Sequence, residues 1–319
     1  MRTRSARTSA WIAAVAALLS TAATAEAVPQ QVEGTWRGRS RDDGGVWIQI
    51  QRDDERKGSS SLPEELAEEL MAEGGELEVR REAGRLSFEG TIQNGRGRGL
   101  FTFVADPSYV DRMGGLGYRG LDEDELLAAA LWDVGPAHAR MLEGAGFRGL
   151  DFGDLLSSKI FQVDTTFIER MRELGLGDLD IDDLVAFKIH GVTPEFVEEA
   201  RGMGLGNLDK DDLVAMRIHR IDRGSIEAAE ALGLGRVDLD DVMSMKIHGV
   251  TKEFVEEMAE LGYRPKSLDQ AVAFRIHRVT PELVRELREE GFTDLSGDDL
   301  IKIRIHGIDR MIRRRGGGA

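Results

Sequence analysis

Five histidines stand 29 residues apart, at His190, His219, His248, His277 and His306. Imidazole is the side chain best suited to bind a transition metal or to change charge between pH 5 and 8. A metal ladder would need three or four ligands about 2 Å from each ion. One imidazole per step supplies too few, and the chain has no cysteine to complete a site. Further upstream the same frame holds Phe161 and Trp132, so the position accepts other aromatics. The column is therefore expected to be structural, closing a helix and complementing its dipole. Proton sensing near a reference pKa of about 6.5 is the alternative. No metal is expected.

Two residues before each of these aromatics, from Phe161 onward, lies a cation: Lys159, Lys188, Arg217, Lys246, Arg275 and Arg304. Cations in a last helical turn are favourable for the dipole alone. On a chain of net charge −16, an aligned basic column could also read an extended anionic partner, and these are the candidate binding residues. An acidic ladder, Asp182-Asp183, Asp211-Asp212, Asp240-Asp241 and Asp298-Asp299, invites a calcium reading. Asp180-Ile181-Asp182 and Asp209-Lys210-Asp211 begin like a calcium loop but lack its sixth-position glycine and enter a helix at once. Helix capping is expected instead. No G-x-S-x-G elbow, P-loop or dinucleotide fingerprint occurs, and His138 is the one histidine outside the ladder. Neither catalytic residues nor a cofactor are expected.

The columns share a strict frame. Copies begin at Asp106, Gly135, Asp164, Thr193, Asp222, Thr251 and Thr280, with a truncated eighth at Asp309. Thr193-Pro194-Glu195 supplies an N-cap, a proline at the first helical position and an acid in the first turn. Phe196, Val197, Ala200 and Met203 form an apolar stripe at helical spacing. Gly204 and its counterparts Gly117, Gly146, Gly175, Gly233, Gly262 and Gly291 are expected to end the first helix in a left-handed cap. Asp209 and Asp212, flanked by Leu208 and Leu213, open the second helix as a capping box with a hydrophobic staple. Equivalent starts are Asp122/Glu125, Asp151/Asp154, Asp180/Asp183, Asp238/Asp241, Ser267/Gln270 and Ser296/Asp299.

Before the copies, Val46–Gln51, Leu77–Val79, Leu86–Phe88 and Leu100–Val104 alternate as half-buried strands do. Ala83-Gly84 and Asn94-Gly95 mark turns, and Leu62–Leu66 begins a short helix. A small antiparallel sheet or partly closed barrel of five or six strands is expected. Gly34-Thr35-Trp36 is similar to the G-x-W of lipocalin-like barrels. A core tryptophan is the plainer reading and a ligand cavity the alternative.

The N-terminus reads as a targeting segment: Arg2, Arg4 and Arg7, an apolar run from Ala10 to Leu19, then Ala25-Glu26-Ala27. Residues 1–27 carry three arginines and one glutamate, so the chain from residue 28 onward carries −18. That balance disfavours nucleic acid as a partner. No later stretch is long and apolar enough to span a membrane, so an exported chain, periplasmic or extracellular, is expected. The fold class expected is α+β and mainly α. It comprises a signal peptide over 1–27, a small antiparallel β domain over 28–105, and an α-solenoid of seven helix-hairpin copies over 106–308. A truncated copy with a basic and glycine tail occupies 309–319.

G-V-T-P-E-F-V-E-E at Gly191–Glu199 and D-D-L-V-A-M-R-I-H at Asp211–His219 resemble repeats of exported bacterial proteins of unknown function. Such repeats also occur beside membrane metallopeptidases of the beta-lactam-sensor type. The likeness covers 106–308, and Gly97–Phe103 is similar to a segment of the same proteins. The resemblance implies an envelope-located interaction or sensing module. It brings no catalytic residues, and without an H-E-x-x-H no peptidase activity is implied. The function expected is a non-enzymatic scaffold binding an unidentified protein partner, with an anionic envelope polymer as a further partner class. The alternative is a module that holds a small ligand in the β domain or senses pH through the histidines.

Overall fold

The computed structural model describes residues 31–40, 45–53, 59–235 and 237–308. The expected signal peptide and the truncated copy lie outside the described residues. Two compact units divide the contacts. One runs through Glu169 and takes in Asp180–Val185, and the other takes Arg170–Leu179 and the chain from Ala186 onward.

The first unit opens with β1 (Val32–Ser40), β2 (Val46–Arg52), β3 (Ser59–Ser61), α1 (Glu64–Ala72), β4 (Leu77–Arg81), β5 (Gly84–Gln93) and β6 (Arg96–Ala105). The strands form one antiparallel sheet in the order β3-β2-β1-β6-β5-β4. Among the described residues β3 and β4 remain edges, so the sheet is open rather than a partly closed barrel. Asn94 and Gly95, at φ 51° and 71°, make the expected tight turn between β5 and β6. The turn before β5 falls one residue earlier than expected, on Glu82 and Ala83, because Gly84 already pairs with Arg81 and Ala105.

Alternation along the strands sends Val32, Trp36, Ile48, Ile50, Leu86, Phe88, Phe101 and Phe103 to one buried face. Trp36 is fully buried there, against Gly90, Gly97 and Gly99. A Cβ on any of the three would come within 2.6 Å of its indole. The glycines make the niche that the tryptophan fills. Its Nε1 makes no hydrogen bond among the described residues. Helix α1 contacts β2 and buries Leu66, Ala67 and Leu70. Arg52 on β2 is clamped by Glu123 and Asp124 of the helical copies, and Tyr109 Oη donates to the carbonyl of Val134 at 2.9 Å.

The copies supply α2 (Pro107–Gly115), α3 (Glu123–Trp132), α4 (Pro136–Gly144), α5 (Phe152–Ile160), α6 (Thr165–Glu173) and α7 (Ile181–His190). They continue with α8 (Pro194–Arg201), α9 (Lys210–Ile218), α10 (Arg223–Glu230) and α11 (Leu239–His248). The last four are α12 (Lys252–Glu260), α13 (Leu268–Ile276), α14 (Pro281–Glu289) and α15 (Gly297–Ile305). Helices of 8–10 residues are marginal alone, and the caps compensate. Full capping boxes open α3, α5, α9, α11 and α15, and Asp180 with Asp183 exchanges the same two bonds before α7. At α13 the box is displaced: Ser267 accepts from Gln270, whose side chain turns to the Lys266 amide.

Every first helix ends on its expected glycine at positive φ, from Gly117 at 105° through Gly204 at 82° to Gly291 at 89°. Every second helix is followed by a left-handed residue as well: Asp133, Gln162, Gly191, Arg220, Gly249, Arg278 and Gly307. The amide of the next residue then closes a six-residue loop, as when Val192 donates to Phe187 at 2.8 Å and Val279 to Phe274 at 2.7 Å. Val134, Val163, Val192, Ile221, Val250 and Val279 all make this bond and are buried, so these six turns are pinned by a bond and by burial, whereas Ile308 after Gly307 is exposed. Among the described residues no helix is long and apolar enough to cross a membrane.

Candidate functional site

The ends of the second helices bring the sequence columns together. Arg217 donates from Nε to the carbonyl of His190 at 3.2 Å, Arg275 to that of His248 at 3.1 Å, and Arg304 to that of His277 at 3.0 Å. Lys246 Nζ donates to the carbonyl of Arg220. Each acceptor is an orphan carbonyl at the end of the preceding copy's second helix. Arg217 and Arg275 also lie 4.8 and 5.0 Å over the rings of Phe196 and Phe254. Lys159 stands 4.0 Å from Asp133, and Lys188 is half-buried. The column proposed from sequence as a binding feature is thus occupied, for the most part, in joining copy to copy.

The histidines contribute through their main chains. His190 and His248 end α7 and α11, whereas His219, His277 and His306 are the C-caps of α9, α13 and α15. The carbonyls of His190, His248 and His277, rather than their rings, accept three of the bonds just described, and the fourth falls on Arg220, the residue after His219. Among the described residues no group of three or more metal-binding side chains is placed to hold an ion.

Between each cation and its histidine lies an isoleucine, and this is the feature that sequence reading passed over. Ile189, Ile218, Ile247, Ile276 and Ile305 are 43%, 53%, 57%, 51% and 56% exposed. A single exposed isoleucine means little. Five share one register within one compact unit, on successive second-helix ends tied by the bonds of Arg217, Lys246, Arg275 and Arg304 to main-chain carbonyls. Neighbouring packed helices lie about 8–10 Å apart. The signal was available as the recurring Lys/Arg-Ile-His triplet, whose middle residue points away from the buried stripe of Leu213 and Met216.

At the other end of the second helices, burial and neighbouring carboxylates push Glu125, Asp154, Asp182, Asp212 and Asp241 above their ordinary values. Glu125, Asp154, Asp212 and Asp241 spend their oxygens on cap amides, which is what the capping reading expected. One apparent dyad also appears. His138 Nε2 lies 2.8 Å from Ser158 Oγ, which donates to the carbonyl of Leu155 at 2.9 Å. Burial, and then the charge of Lys159, hold His138 down at about 4. Ser158 is fully buried, and its hydroxyl is held in the core by these two contacts. A recess of about 440 Å³ lined by Gly204, Leu205, Val237 and Asp238 offers, among the described residues, one carboxylate and no second polar side chain.

No protein-family model matches this chain, and neither the curated proteins nor the solved structures compared with it gave a match.

Proposed function

We propose that the chain is a non-enzymatic exported scaffold whose 29-residue copies stack as an α-solenoid and bind a protein partner along the isoleucine line. The exposed register of Ile189, Ile218, Ile247, Ile276 and Ile305 carries this reading. Exposed apolar side chains gathered on one face mark interaction sites in soluble proteins. Covering the exposed half of one isoleucine is worth about 1 kcal/mol, and a repeat array multiplies such small gains. The cations beside the line remain at the surface, so the fitting partner segment presents apolar side chains with acids near them. The resemblance to repeats of exported bacterial proteins points the same way, to contact in the envelope.

The alternative of a small ligand in the β domain has less to rest on, because Trp36 on its glycines occupies the core face of the sheet. Replacing Ile218, Ile247 and Ile276 together by serine tests the proposal. These side chains are about half exposed, so helical circular dichroism should be kept, whereas crosslinking to the envelope partner should be lost. Unchanged crosslinking by the triple variant would remove the isoleucine line from the account.

A further inference from the structure

The sheet face opposite Trp36 carries an arginine block made from one tripeptide used twice. Arg37-Gly38-Arg39 on β1 and Arg96-Gly97-Arg98 on β6 run antiparallel in register, pairing Arg37 with Arg98, Gly38 with Gly97 and Arg39 with Arg96. Strand alternation sends the glycines to the core face, where Gly97 lies against the Trp36 ring. It sends all four arginines to the other face, where all are exposed. Like charges directly opposite one another across strands are destabilising. The block is therefore a cost to the fold on a chain that is acidic overall.

The same face holds a third cross-strand arginine pair, Arg80 with Arg85, and there the chain supplies its own counter-ion. Glu78 lies 2.9 Å from Arg80 and 3.8 Å from Arg85. No carboxylate among the described residues serves the central block in this way. Among the described residues Arg37 reaches Gln51 at 3.3 Å and Arg39 lies 6.0 Å over Trp47, but none of the four arginines forms an ion pair. Glu89 stands one step diagonal to Arg98 and is not bonded to it.

We infer that this face binds an anionic polysaccharide through Arg37, Arg39, Arg96 and Arg98. Guanidinium forks match the oxyanions of carboxylate, sulfate and phosphate groups. Pairs across strands are about 5 Å apart and neighbours along a strand about 7 Å, a spacing suited to charges on successive sugars. Gln49, Gln51, Thr91 and Gln93 surround the block in register and offer amides and hydroxyls to sugar hydroxyls. The face is otherwise poor in apolar groups: Leu100 is exposed and Trp47 lies under Arg39. That composition favours a hydrated chain over the interior of a bilayer. The site is independent of the isoleucine line.

Fluorescence anisotropy of a labelled heparin octasaccharide, titrated with the whole protein at low salt, tests the inference. Saturable binding is expected, weakened more than tenfold by Arg37→Gln with Arg98→Gln and untouched by Lys252→Gln with Lys302→Gln. The arginine variant removes a repulsive pair, so it should melt at or above the wild-type temperature, which separates lost binding from lost folding. Absent binding, or equal binding by the arginine variant, would overturn the inference. So would tighter binding of poly-glutamate or of phosphatidylglycerol vesicles, which would assign the face to an acidic peptide or a membrane.

Discussion

The Nε of Arg217 donates to the main-chain carbonyl of His190, 3.2 Å away, so a side chain of one copy completes the last helical turn of the copy before it. Arg275 and Arg304 repeat the contact at the same separation of 27 residues. The first helices use a parallel device: Arg201 donates to Leu174 at 2.7 Å and Arg288 to Leu261 at 2.6 Å. Helices too short to stand alone are thereby capped at one end by their own sequence and at the other by a neighbour.

Arg275→Met removes the donor to His248 together with the guanidinium that lies over Phe254. A charge-assisted bond at a partly exposed site is worth about 1 kcal/mol. The variant should therefore melt about 2–4 °C lower, with its helical signal unchanged below the transition. Scanning calorimetry checks this, and an unshifted melting temperature would reduce the contact to an incidental one.

Arg220 and Arg278 occupy the left-handed position, at φ 52° and 55°, where the equivalent residues 191, 249 and 307 are glycines. A non-glycine residue pays about 1–2 kcal/mol there, partly offset by the greater unfolded-state freedom of glycine. Arg220→Gly and Arg278→Gly should each stabilise the chain by about 0.5–1 kcal/mol. The carbonyl that Lys246 uses at residue 220 belongs to the main chain and survives the change. Urea denaturation of the two variants gives the sign directly.

His138 titrates at about 4 in the folded chain, against an ordinary 6.5. The unfolded chain thus takes up the proton first on acidification, and stability falls as the pH drops through that window. Glu125, Asp154, Asp182, Asp212 and Asp241 are shifted upward and work in the opposite sense, gaining stability as they are protonated. The informative quantity is therefore the difference in melting temperature between wild type and His138→Gln. It should stay constant above pH 7 and move in favour of the variant between about pH 6.5 and 4. A difference that does not change with pH would contradict the buried neutral imidazole.

Much of the fold was legible because local rules wrote it: Asp209 with Asp212, Gly204 and Gly262 each sit where capping chemistry requires them. The cross-copy bonds were not legible. Arg217 looks the same in sequence whether it faces solvent or the carbonyl of His190, and only packing decides which. The isoleucine line was hidden for a related reason, since Ile218 and the buried Met216 are both apolar and only the helix phase separates them. The arginine block needed the register of β1 with β6, which Arg37 and Arg98, far apart in the chain, do not disclose. The candidate binding site accordingly moved by one residue along each second helix, from the cation to its neighbour.

The most direct measurement places a photo-crosslinking amino acid at residue 247, and separately at the exposed Glu257 of α12, and irradiates the protein in its own cell envelope. The expected result is one discrete protein adduct from residue 247, absent from residue 257 and lost when Ile218 and Ile276 are replaced by serine. Adducts that are equal at the two positions, or that persist in the serine background, would contradict a docking line built on the isoleucines.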